Sequence, residues 1–439
     1  MNFSKINPKE ILANMGFKEL NSLQKEVLSK LDTHSEILLL APTGSGKTLA
    51  FILSILKQLH PNKEEVQTIV LAPTRELALQ IEKVFRQVKS GYKVLSCYGG
   101  HPFSREKASL KHPPAVLIAT PGRLLDHLQR QSFNTSAAQQ LIIDEYDKCL
   151  ELGFGKEMQS ILYHLPKIKN CMLTSATQIN ELPPYFKLKK PLEINFLDQD
   201  LEPDLSYFYV KSTWSAKMDT MCSLLKTLHH EPSIVFCNFK NDIQALSEAL
   251  ENAGLDHSVF YGDLDQEERE KALLKFRNGS TNILLATDLA ARGLDIPEIK
   301  HIVHYQIPSK EDSFVHRNGR TARMQASGKV FLMLNEDKTL PEYIKHPIEA
   351  FEINESPNQE ESTSFTTIYM SAGKMHKISK IDVLGFLCQI GNLSKEEIGI
   401  IEVKDRASFA AIPKEKLQAV LKACDMQKLK KVKVRVDRA

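Results

Sequence analysis

Short apolar runs alternate with segments of helical periodicity through the first 340 residues of the chain. The runs are EILLLA, TIVLA, AVLIAT, QLIID and CMLTSA, followed by SIVFCN, NILLATD, HIVHYQIP and KVFLML. Nearly continuous apolar runs of this length are typical of strands buried on both faces of a parallel sheet. Between them, TLAFILSILKQL places Leu49, Ile52, Leu56 and Leu59 at three- and four-residue spacing. This alternation of strand and helix predicts an α/β fold.

Two breaks in the alternation divide the chain. Residues 196–206, FLDQDLEPDLS, replace the apolar pattern with carboxylates and a proline. Residues 349–362 contain five glutamates and no basic residue. Because such segments are typical of linkers, the sequence predicts domains at residues 1–200 and 207–348 and an acidic linker at 349–364.

The remaining segment, residues 365–439, has a different order of elements. It reads as the strand FTTIYMSAGK, the helix SKIDVLGFLCQIG, the strands EIGIIEVKD and SFAAIP, the helix KEKLQAVLKAC and the strand KVKVRVD. This β-α-β-β-α-β order predicts a small RRM-like α+β domain.

The net charge of +3 is unevenly distributed along the chain. From Phe365 onward there are 15 Lys and Arg against 8 Asp and Glu, which gives +7 for this segment and −4 for the residues before it. A basic segment of this kind favours contact with nucleic acid. A solvated basic face is the simpler alternative.

Composition excludes several other classes of protein. No run of about 18 apolar residues is present, so the sequence predicts no membrane span. The start MNFSKINPKEIL has neither the basic beginning nor the long apolar stretch of a secretory signal, and we expect a cytoplasmic protein. The seven cysteines form no C-x-x-C pair, so we expect reduced thiols and no zinc site.

Residues 41–48, APTGSGKT, follow the apolar run EILLL and open a helical segment. This is the context that a P-loop requires, in which backbone N–H groups surround the phosphates of a nucleotide. We therefore expect Lys47 to reach the β- and γ-phosphates and Thr48 to ligate Mg²⁺. The predicted phosphate-binding loop also includes Thr43, Gly44, Ser45 and Gly46.

Two carboxylates, Asp144 and Glu145, follow the run QLII. A P-loop ATPase needs an acidic element at the end of a neighbouring strand, where it holds the metal ion and orients water. We expect Asp144 to lie on the Mg²⁺ side and Glu145 to act as general base for the attacking water. A strand that ends in solvated acids is the alternative.

The segment DEYD, residues 144–147, resembles the D-E-A-D sequence of the DEAD-box RNA helicases, with Tyr146 at the alanine position. GFKELNSLQ, residues 16–24, is similar to the Q motif of that family, which implies that Gln24 reads the adenine edge and that Phe17 packs on the base. Leu20 and Asn21 differ from the proline and the serine or threonine that are usual there. About ten motifs in family order cover residues 3–340, and the resemblance implies two tandem RecA-like domains that use ATP and Mg²⁺.

The resemblance also implies contacts with RNA and coupling between the two sites. In PTRELA, the glycine pair and TPGR, the implied RNA contacts are Arg75, Gly99, Gly100, Thr120, Gly122 and Arg123. In VFCN, QEER and ATD of the second domain, the implied RNA contacts are Asn238, Gln266, Arg269 and Thr287. Coupling to the nucleotide state is implied for Asp147, Ser175, Thr177, His316 and Arg317.

Residues 286–297 and 316–323 resemble the motifs with which the second domain completes the ATP site. Asp295 would hold the ribose hydroxyls, and Arg320 and Arg323 would act as arginine fingers on the γ-phosphate. Ala322 stands where glycine is common, and Gln306 stands where aspartate is usual.

The C-terminal segment resembles the RNA-binding domain of the DbpA group of bacterial DEAD-box proteins. That resemblance implies recognition of a hairpin of large-subunit (23S) ribosomal RNA, and a role with pre-ribosomal particles in ribosome assembly. Lys374, Lys377, Lys380 and Arg406 would supply phosphate contacts. Tyr369 and Phe409 stand at positions where base-stacking aromatics occur, and they are equally compatible with a core role.

The sequence thus predicts an ATP-dependent RNA helicase that locally unwinds short duplexes and acts as a monomer. Two alternatives remain open: a general RNA-remodelling helicase without ribosomal specificity, and an ATP-gated RNA clamp or chaperone. A processive DNA translocase is disfavoured by the short core, which lacks inserted domains.

Overall fold

The computed structural model describes residues 8–61, 63–100, 102–179, 181–186, 188, 191–197, 205–228, 231–288, 299–321, 327–353 and 364–439. The chain divides into two compact units, of which one covers the chain up to Glu202 and the other holds a second sheet together with the C-terminal domain. No helix among the described residues combines the length and the apolar character needed to cross a membrane.

The first unit is built on a parallel sheet with the order β3-β4-β2-β5-β6-β1-β7. Its strands are β1 (Glu36–Leu40), β2 (Thr68–Leu71), β3 (Val94–Cys97), β4 (Val116–Ala119), β5 (Gln140–Ile143), β6 (Asn170–Ser175) and β7 (Leu192–Asn195). Its helices are α1 (Pro8–Met15), α2 (Ser22–Lys30), α3 (Lys47–Gln58), α4 (Arg75–Gln87), α5 (Phe103–Leu110), α6 (Pro121–Gln129), α7 (Tyr146–Glu151) and α8 (Gly155–His164).

The strand order brings the predicted ATP motifs together. Strands β5, β6 and β1 are neighbours, and all three run in the same direction. Their carboxyl ends therefore meet at one edge of the sheet, which is where open α/β sheets bind ligands. The glycine-rich loop follows β1, DEYD follows β5, and SAT lies at the end of β6.

The second unit contains a parallel sheet with the order β10-β11-β9-β12-β13-β8-β14. Its strands are β8 (Leu205–Ser212), β9 (Ser233–Phe236), β10 (Ser258–Phe260), β11 (Ile283–Ala286), β12 (His301–His304), β13 (Gly328–Asn335) and β14 (Ile348–Ala350). The helices with described bounds are α9 (Lys217–Leu228), α10 (Lys240–Asn252), α11 (Gln266–Arg277) and α12 (Glu311–Asn318). The sheet extends past the predicted boundaries at 207 and 348, because β8 begins at Leu205 and β14 ends at Ala350, after which Phe351 and Ile353 pack on the core.

The C-terminal domain has an antiparallel sheet with the order β16-β17-β15-β20, which is the RRM arrangement. Its elements are β15 (Phe365–Met370), α13 (Lys380–Gln389), β16 (Ile401–Val403), β17 (Ser408–Pro413), α14 (Leu417–Cys424), β18 (Lys428–Leu429), β19 (Val432–Lys433) and β20 (Val436–Arg438), with short 3₁₀ helices at Lys374–His376, Lys395–Glu397 and Lys414–Lys416. The prediction of one final strand from KVKVRVD was wrong. Lys430 adopts a left-handed φ of 57° and closes a β18–β19 hairpin, so only β20 joins the main sheet.

Candidate nucleotide and RNA sites

The glycine-rich loop joins β1 to α3 and holds the predicted catalytic lysine. The Lys47 side chain is folded over the loop, where its Nζ donates hydrogen bonds to the carbonyl oxygens of Ala41 at 2.5 Å and Pro42 at 2.9 Å. Lys47 is only 9% exposed, and Thr48 follows it in the first turn of α3. The ammonium group and the hydroxyl thus lie at a helix N-terminus, which favours bound anions.

The segment that resembles the Q motif contacts the glycine-rich loop directly. Asn21 caps α2, and its Nδ2 donates to the Ser45 carbonyl oxygen at 2.8 Å. The Gln24 Nε2 donates to the Gly46 carbonyl oxygen at 3.4 Å. Gly46 has a φ of 92°, and a Cβ at this position would lie 2.6 Å from Gln24 Nε2, so this close approach requires glycine. Asn21, which departs from the family pattern, therefore holds the loop, while Phe17 packs against the core of the first unit.

The acidic strand end is buried beside the loop. Asp144 is 3% exposed, and its Oδ1 accepts hydrogen bonds from Thr174 Oγ1 at 2.5 Å and from the Glu145 amide at 3.2 Å. Burial raises the pKa of Asp144 above the usual range of an aspartate, whereas the Thr174 hydroxyl and the Lys47 ammonium act in the opposite direction. A buried carboxylate of this kind fits a divalent cation, which would favour its ionised form.

Glu145 has a backbone conformation that is uncommon outside glycine, with φ 48° and ψ 53°. Such conformations cost about 1–3 kcal/mol and cluster at functional sites. Here the conformation ends β5 and begins α7, and Glu145 is 9% exposed. Asp144 and Glu145 are thus presented side by side at the carboxyl edge of the sheet.

The SAT segment contacts the last carboxylate of DEYD. Thr177 Oγ1 donates to Asp147 Oδ2 at 3.3 Å. Ser175 Oγ donates to the Thr177 carbonyl oxygen at 2.7 Å and accepts from its amide at 3.0 Å, which holds Thr177 in place. Burial raises the pKa of Asp147, although the neighbouring Lys148 lowers it.

Tyr146 belongs to the buried core of the first unit. It is completely buried, and its ring meets the edge of Phe186 at a centroid distance of 5.4 Å and an angle of 87°. Phe186 in turn contacts Tyr185 at 5.1 Å. Tyr146 therefore packs against the segment after the SAT sequence, a role that the sequence alone did not indicate.

The predicted RNA-side residues of the first unit form two groups. The Arg75 guanidinium lies over the glycine pair, and a Cβ at Gly100, where φ is 95°, would lie 2.5 Å from Arg75 Nη1. Gly100 therefore has to be a glycine for Arg75 to lie there. In the TPGR segment, Thr120 is the N-cap of α6 and Gly122 lies in its first turn.

Arg123, at the end of TPGR, is held by a buried carboxylate that sequence reasoning missed. The Arg123 Nε lies 2.8 Å from Glu106 Oε2, and the same oxygen lies 2.9 Å from His127 Nε2. The other Glu106 oxygen accepts from the Tyr98 amide at 3.1 Å, next to the glycine pair. Glu106 thus links the two RNA-side segments. The spacing of Arg123 and His127 on α6 was the available signal, since residues four apart share a helix face.

Arg317 joins the motifs of the second unit. Its guanidinium donates to Asp288 Oδ2 at 3.0 Å, to Asn238 Oδ1 at 2.7 Å and to the Gln306 carbonyl oxygen at 2.8 Å. The Gln306 side-chain oxygen also accepts a hydrogen bond from the backbone amide of Asn238 at 2.9 Å. The glutamine that replaces the usual aspartate therefore supports Asn238, a predicted RNA contact.

The other predicted residues of the second unit lie on its helices and at its strand ends. Gln266 begins α11, and the Arg269 Nη2 donates to the Gly262 carbonyl oxygen at 2.6 Å. Thr287 follows β11 directly, and the His316 Nδ1 donates to the Asp312 carbonyl oxygen at 2.6 Å. Arg320 is buried, with only 4% of its surface exposed. Asp295 and Arg323 lie outside the described residues.

His304 supports Arg317 in its neutral form. Its Nε2 donates to Asn318 Oδ1 at 2.9 Å, and its Nδ1 lies 3.3 Å from Arg317 Nη1, where it accepts. Complete burial, with a smaller contribution from the Arg317 charge, lowers the pKa of His304 to about 3.

This lowered pKa predicts acid sensitivity of the second unit. Above pH 6.5, His304 is neutral in the folded and the unfolded state, and the stability of the second unit is fully present. As pH falls toward 3, only the unfolded state gains the proton, which lowers the free energy of unfolding. At about 1.4 kcal/mol per pH unit, the second unit should lose about 2 kcal/mol between pH 6.5 and pH 5 from this group. Urea unfolding followed by the fluorescence of Trp214, the single tryptophan, measures the loss. His304→Gln should reduce the loss, whereas His346→Gln, at an exposed site, should leave it unchanged; equal loss in both variants would contradict this role.

The predicted phosphate contacts of the C-terminal domain lie on adjoining turns. The Lys374 amide donates to the Lys404 carbonyl oxygen at 2.8 Å, and the Met375 amide donates to the Asp405 carbonyl oxygen at 2.8 Å. The side chains of Lys374, Lys377 and Arg406 are all exposed on these turns. The structure therefore brings three of the predicted cations to one surface.

A glycine-rich loop at a helix N-terminus and a buried acidic strand end at the same sheet edge are the features of a P-loop nucleotide site. Three family models match the chain: DEAD/DEAH box helicase over residues 21–183, helicase conserved C-terminal domain over residues 216–325, and DbpA RNA binding domain over residues 367–438.

Proteins that are similar to nearly the whole chain belong to the family that these matches indicate. The ATP-dependent RNA helicase DbpA of Escherichia coli K12 is 32% identical over 414 residues, which is 91% of this chain and 90% of the relative. DbpA of Bacillus subtilis 168 is 28% identical over 98% of this chain and 96% of the relative. A structure of Saccharomyces cerevisiae Dbp5 bound to RNA and ADP BeF3 has a TM-score of 0.71 at 25% identity and covers 79% of this chain and 94% of that one. The chain belongs to the DEAD-box ATP-dependent RNA helicases, with two RecA-like domains and a DbpA-type RNA-binding domain.

Proposed function

We propose that this helicase uses ATP hydrolysis to open short RNA duplexes locally, and that its C-terminal domain directs it to large-subunit (23S) ribosomal RNA during ribosome assembly. Contacts of the DEYD segment in the first unit support ATP-driven opening of RNA. Asp144 lies near enough to Lys47 for the ammonium to lower its pKa, and Asp147 of the same segment accepts a hydrogen bond from Thr177 at 3.3 Å. The four-residue DEYD segment therefore contacts both the nucleotide loop and the SAT segment.

Mg²⁺ is part of this proposal, and Thr48 and Asp144 would hold it. The ion would neutralise charge on the phosphates. Glu145 accepts a proton from the attacking water, and Lys47 moves from the carbonyl oxygens of Ala41 and Pro42 to the phosphates. Asp295, Arg320 and Arg323 are proposed to complete the site when the two RecA-like domains close on ATP and RNA.

Targeting rests on the charge and the exposed surface of the C-terminal domain. Its residues carry a charge of +7, and Lys374, Lys377 and Arg406 are exposed on adjoining turns. Exposed cations at fixed positions bind phosphates and fix the position of a folded RNA on the domain. The match to a DbpA RNA-binding domain supports ribosomal RNA as the target. We further propose that the protein acts as a cytoplasmic monomer on pre-ribosomal particles.

Two other functions use the same residues. A general RNA-remodelling helicase would respond equally to all RNAs, and an ATP-gated clamp would bind RNA without rapid turnover. The complete hydrolytic set of Lys47, Asp144 and Glu145 favours a cycling enzyme over a clamp.

Targeting is tested by steady-state ATPase assays with purified large-subunit ribosomal RNA and, separately, with unstructured RNA of equal mass. We expect half-maximal stimulation at far lower concentration for the ribosomal RNA. Combined alanine substitution of Lys374, Lys377 and Arg406 should remove that preference and reduce its salt dependence. Combined alanine substitution of the exposed Lys89, Lys345 and Lys395 is the matched control. Equal stimulation by both RNAs in the unaltered protein would reject ribosomal targeting.

A further inference from the structure

The open face of the C-terminal sheet is covered by helix α11 of the second RecA-like domain. In β15, Ile368 and Met370 belong to the core of the small domain, so the intervening Thr367 and Tyr369 lie on the other face. On that face, Phe409 and Ala439 form a buried apolar cluster with Leu274 of α11, with Tyr369 packed beside it. Phe409 is 7% exposed and Leu274 is 3% exposed.

A buried polar bridge lies next to the apolar cluster. Asn278, at the end of α11, donates through Nδ2 to Thr367 Oγ1 at 2.8 Å, and Ser280 Oγ lies 2.7 Å from the same Thr367 oxygen. Thr367 is 1% exposed, and the other two side chains are also buried. Buried polar groups are costly unless they are paired, so mutual pairing indicates a matched interface.

Ion pairs lie at the edge of this contact. Lys404 Nζ lies 3.3 Å from Glu270 Oε2 of α11, and Lys414 Nζ lies 3.3 Å from Asp256 Oδ2. Both lysines belong to the C-terminal domain and both carboxylates belong to the second RecA-like domain. An apolar centre with a polar rim is the usual composition of a specific interface.

Helix α11 also carries the predicted RNA-contact pair of the helicase core. Glu270, Leu274 and Asn278 recur every four residues and form the face that meets the C-terminal domain. Gln266 and Arg269 lie in the first turns of the same helix. A single helix thus connects the C-terminal domain to the RNA-side segment of the core.

We propose that the open face of the C-terminal sheet is a docking surface for α11 and not a base-stacking surface. Docking fixes RNA held by the C-terminal domain at a set position relative to Gln266 and Arg269. Tyr369 and Phe409 then serve this interface, and RNA binds at the exposed turns that carry Lys374 and the neighbouring cations. The inference rests on the proposed function, because it requires the C-terminal domain to bind RNA.

Docking itself is tested without RNA. In the full-length double variant Asp256→Cys with Lys414→Cys, at the solvent-accessible rim of the contact, a short bismaleimide should join the two introduced thiols through two thioether bonds. Each single variant is the matched control, because it keeps the native cysteines and lacks the second introduced thiol. Peptide mass analysis should identify the joined pair in the double variant alone. Absence of that product would reject the docked arrangement.

The consequence for RNA handling is tested with Leu274→Asp, which places a charge in the apolar cluster, and with the conservative Leu274→Met. For Leu274→Asp we expect the KM for purified large-subunit ribosomal RNA in the ATPase assay to rise about tenfold, because the domain stays covalently joined to the core and only its fixed orientation is lost. The kcat and the KM for poly(U) should stay unchanged, which also shows that the variant folds. Leu274→Met should behave as the unaltered protein.

Three results would separate the possible failures. An unchanged KM for ribosomal RNA in Leu274→Asp would overturn the positioning role. Loss of ribosomal RNA binding in Tyr369→Ala, with bismaleimide coupling retained in a matching triple variant, would assign the sheet face to RNA and overturn the proposal. If the unaltered protein shows no stimulation by RNA, the proposed function fails while the coupling result still decides whether the domains dock.

Discussion

Glu145→Gln is expected to lower RNA-stimulated ATP turnover by about 10²- to 10⁴-fold, the usual contribution of a positioned general base. The glutamine keeps the size of the side chain and the capacity to orient water, and it cannot accept the proton. The backbone at Glu145, with φ 48°, should be unaffected because glutamine has the same Cβ and Cγ. Steady-state phosphate release at saturating RNA measures this loss.

Binding of ATP provides the necessary comparison. A fluorescent ATP analogue should bind Glu145→Gln with an affinity within about threefold of the unaltered protein, because Lys47 and the glycine-rich loop are unchanged and a threefold change is less than 1 kcal/mol. The matched control is Glu64→Gln, at an exposed position. Turnover by Glu145→Gln close to that of the control would show that Glu145 is not the base.

Tyr146→Ala is expected to destabilise the first unit by about 3–5 kcal/mol, as for other buried aromatic side chains replaced by alanine. Tyr146 is completely buried and packs against Phe186, so alanine leaves a cavity that rigid strands cannot close. Although alanine is the usual residue in the family, the pocket in this chain is built around the tyrosine ring. Hydrogen exchange of the β1 and β5 amides should report the loss.

Two comparisons isolate the packing effect. Tyr146→Phe keeps the ring and should change the stability of the first unit by less than about 1 kcal/mol. The urea transition followed by Trp214, which lies in the second unit, should stay in place for both variants. Unchanged exchange rates in Tyr146→Ala would contradict a structural role for the ring.

Strand positions and the ATP motifs could be predicted from the sequence because their patterns are local. EILLL and QLII are strands in which apolar residues are buried on both faces, and the glycine-rich loop lies where its order in the chain requires. The RRM-like fold of the C-terminal domain was likewise confirmed, since the β-α-β-β-α-β pattern permits few arrangements.

Contacts between distant segments could not be predicted in the same way. Asn21 and Gln306 were noted only as departures from a family pattern, yet the structure shows them bound to Ser45 and to Asn238. Glu106 itself stands in no motif, and its partners lie on a loop and on another helix, where only the four-residue spacing of Arg123 and His127 hinted at a shared partner. The covered sheet face depends on Asn278 and Thr367, which are 89 residues apart, and no local periodicity reports such a pair.

We propose that ATP hydrolysis drives local strand separation of RNA. The most direct measurement is release of a labelled strand from a short RNA duplex joined to large-subunit ribosomal RNA, with Mg²⁺ and ATP, ADP or no nucleotide. We expect release with ATP to far exceed release with ADP or without nucleotide. Glu145→Gln should not sustain this release over repeated turnovers. Release that is equal with and without ATP, or no release while RNA stimulates hydrolysis, would contradict it.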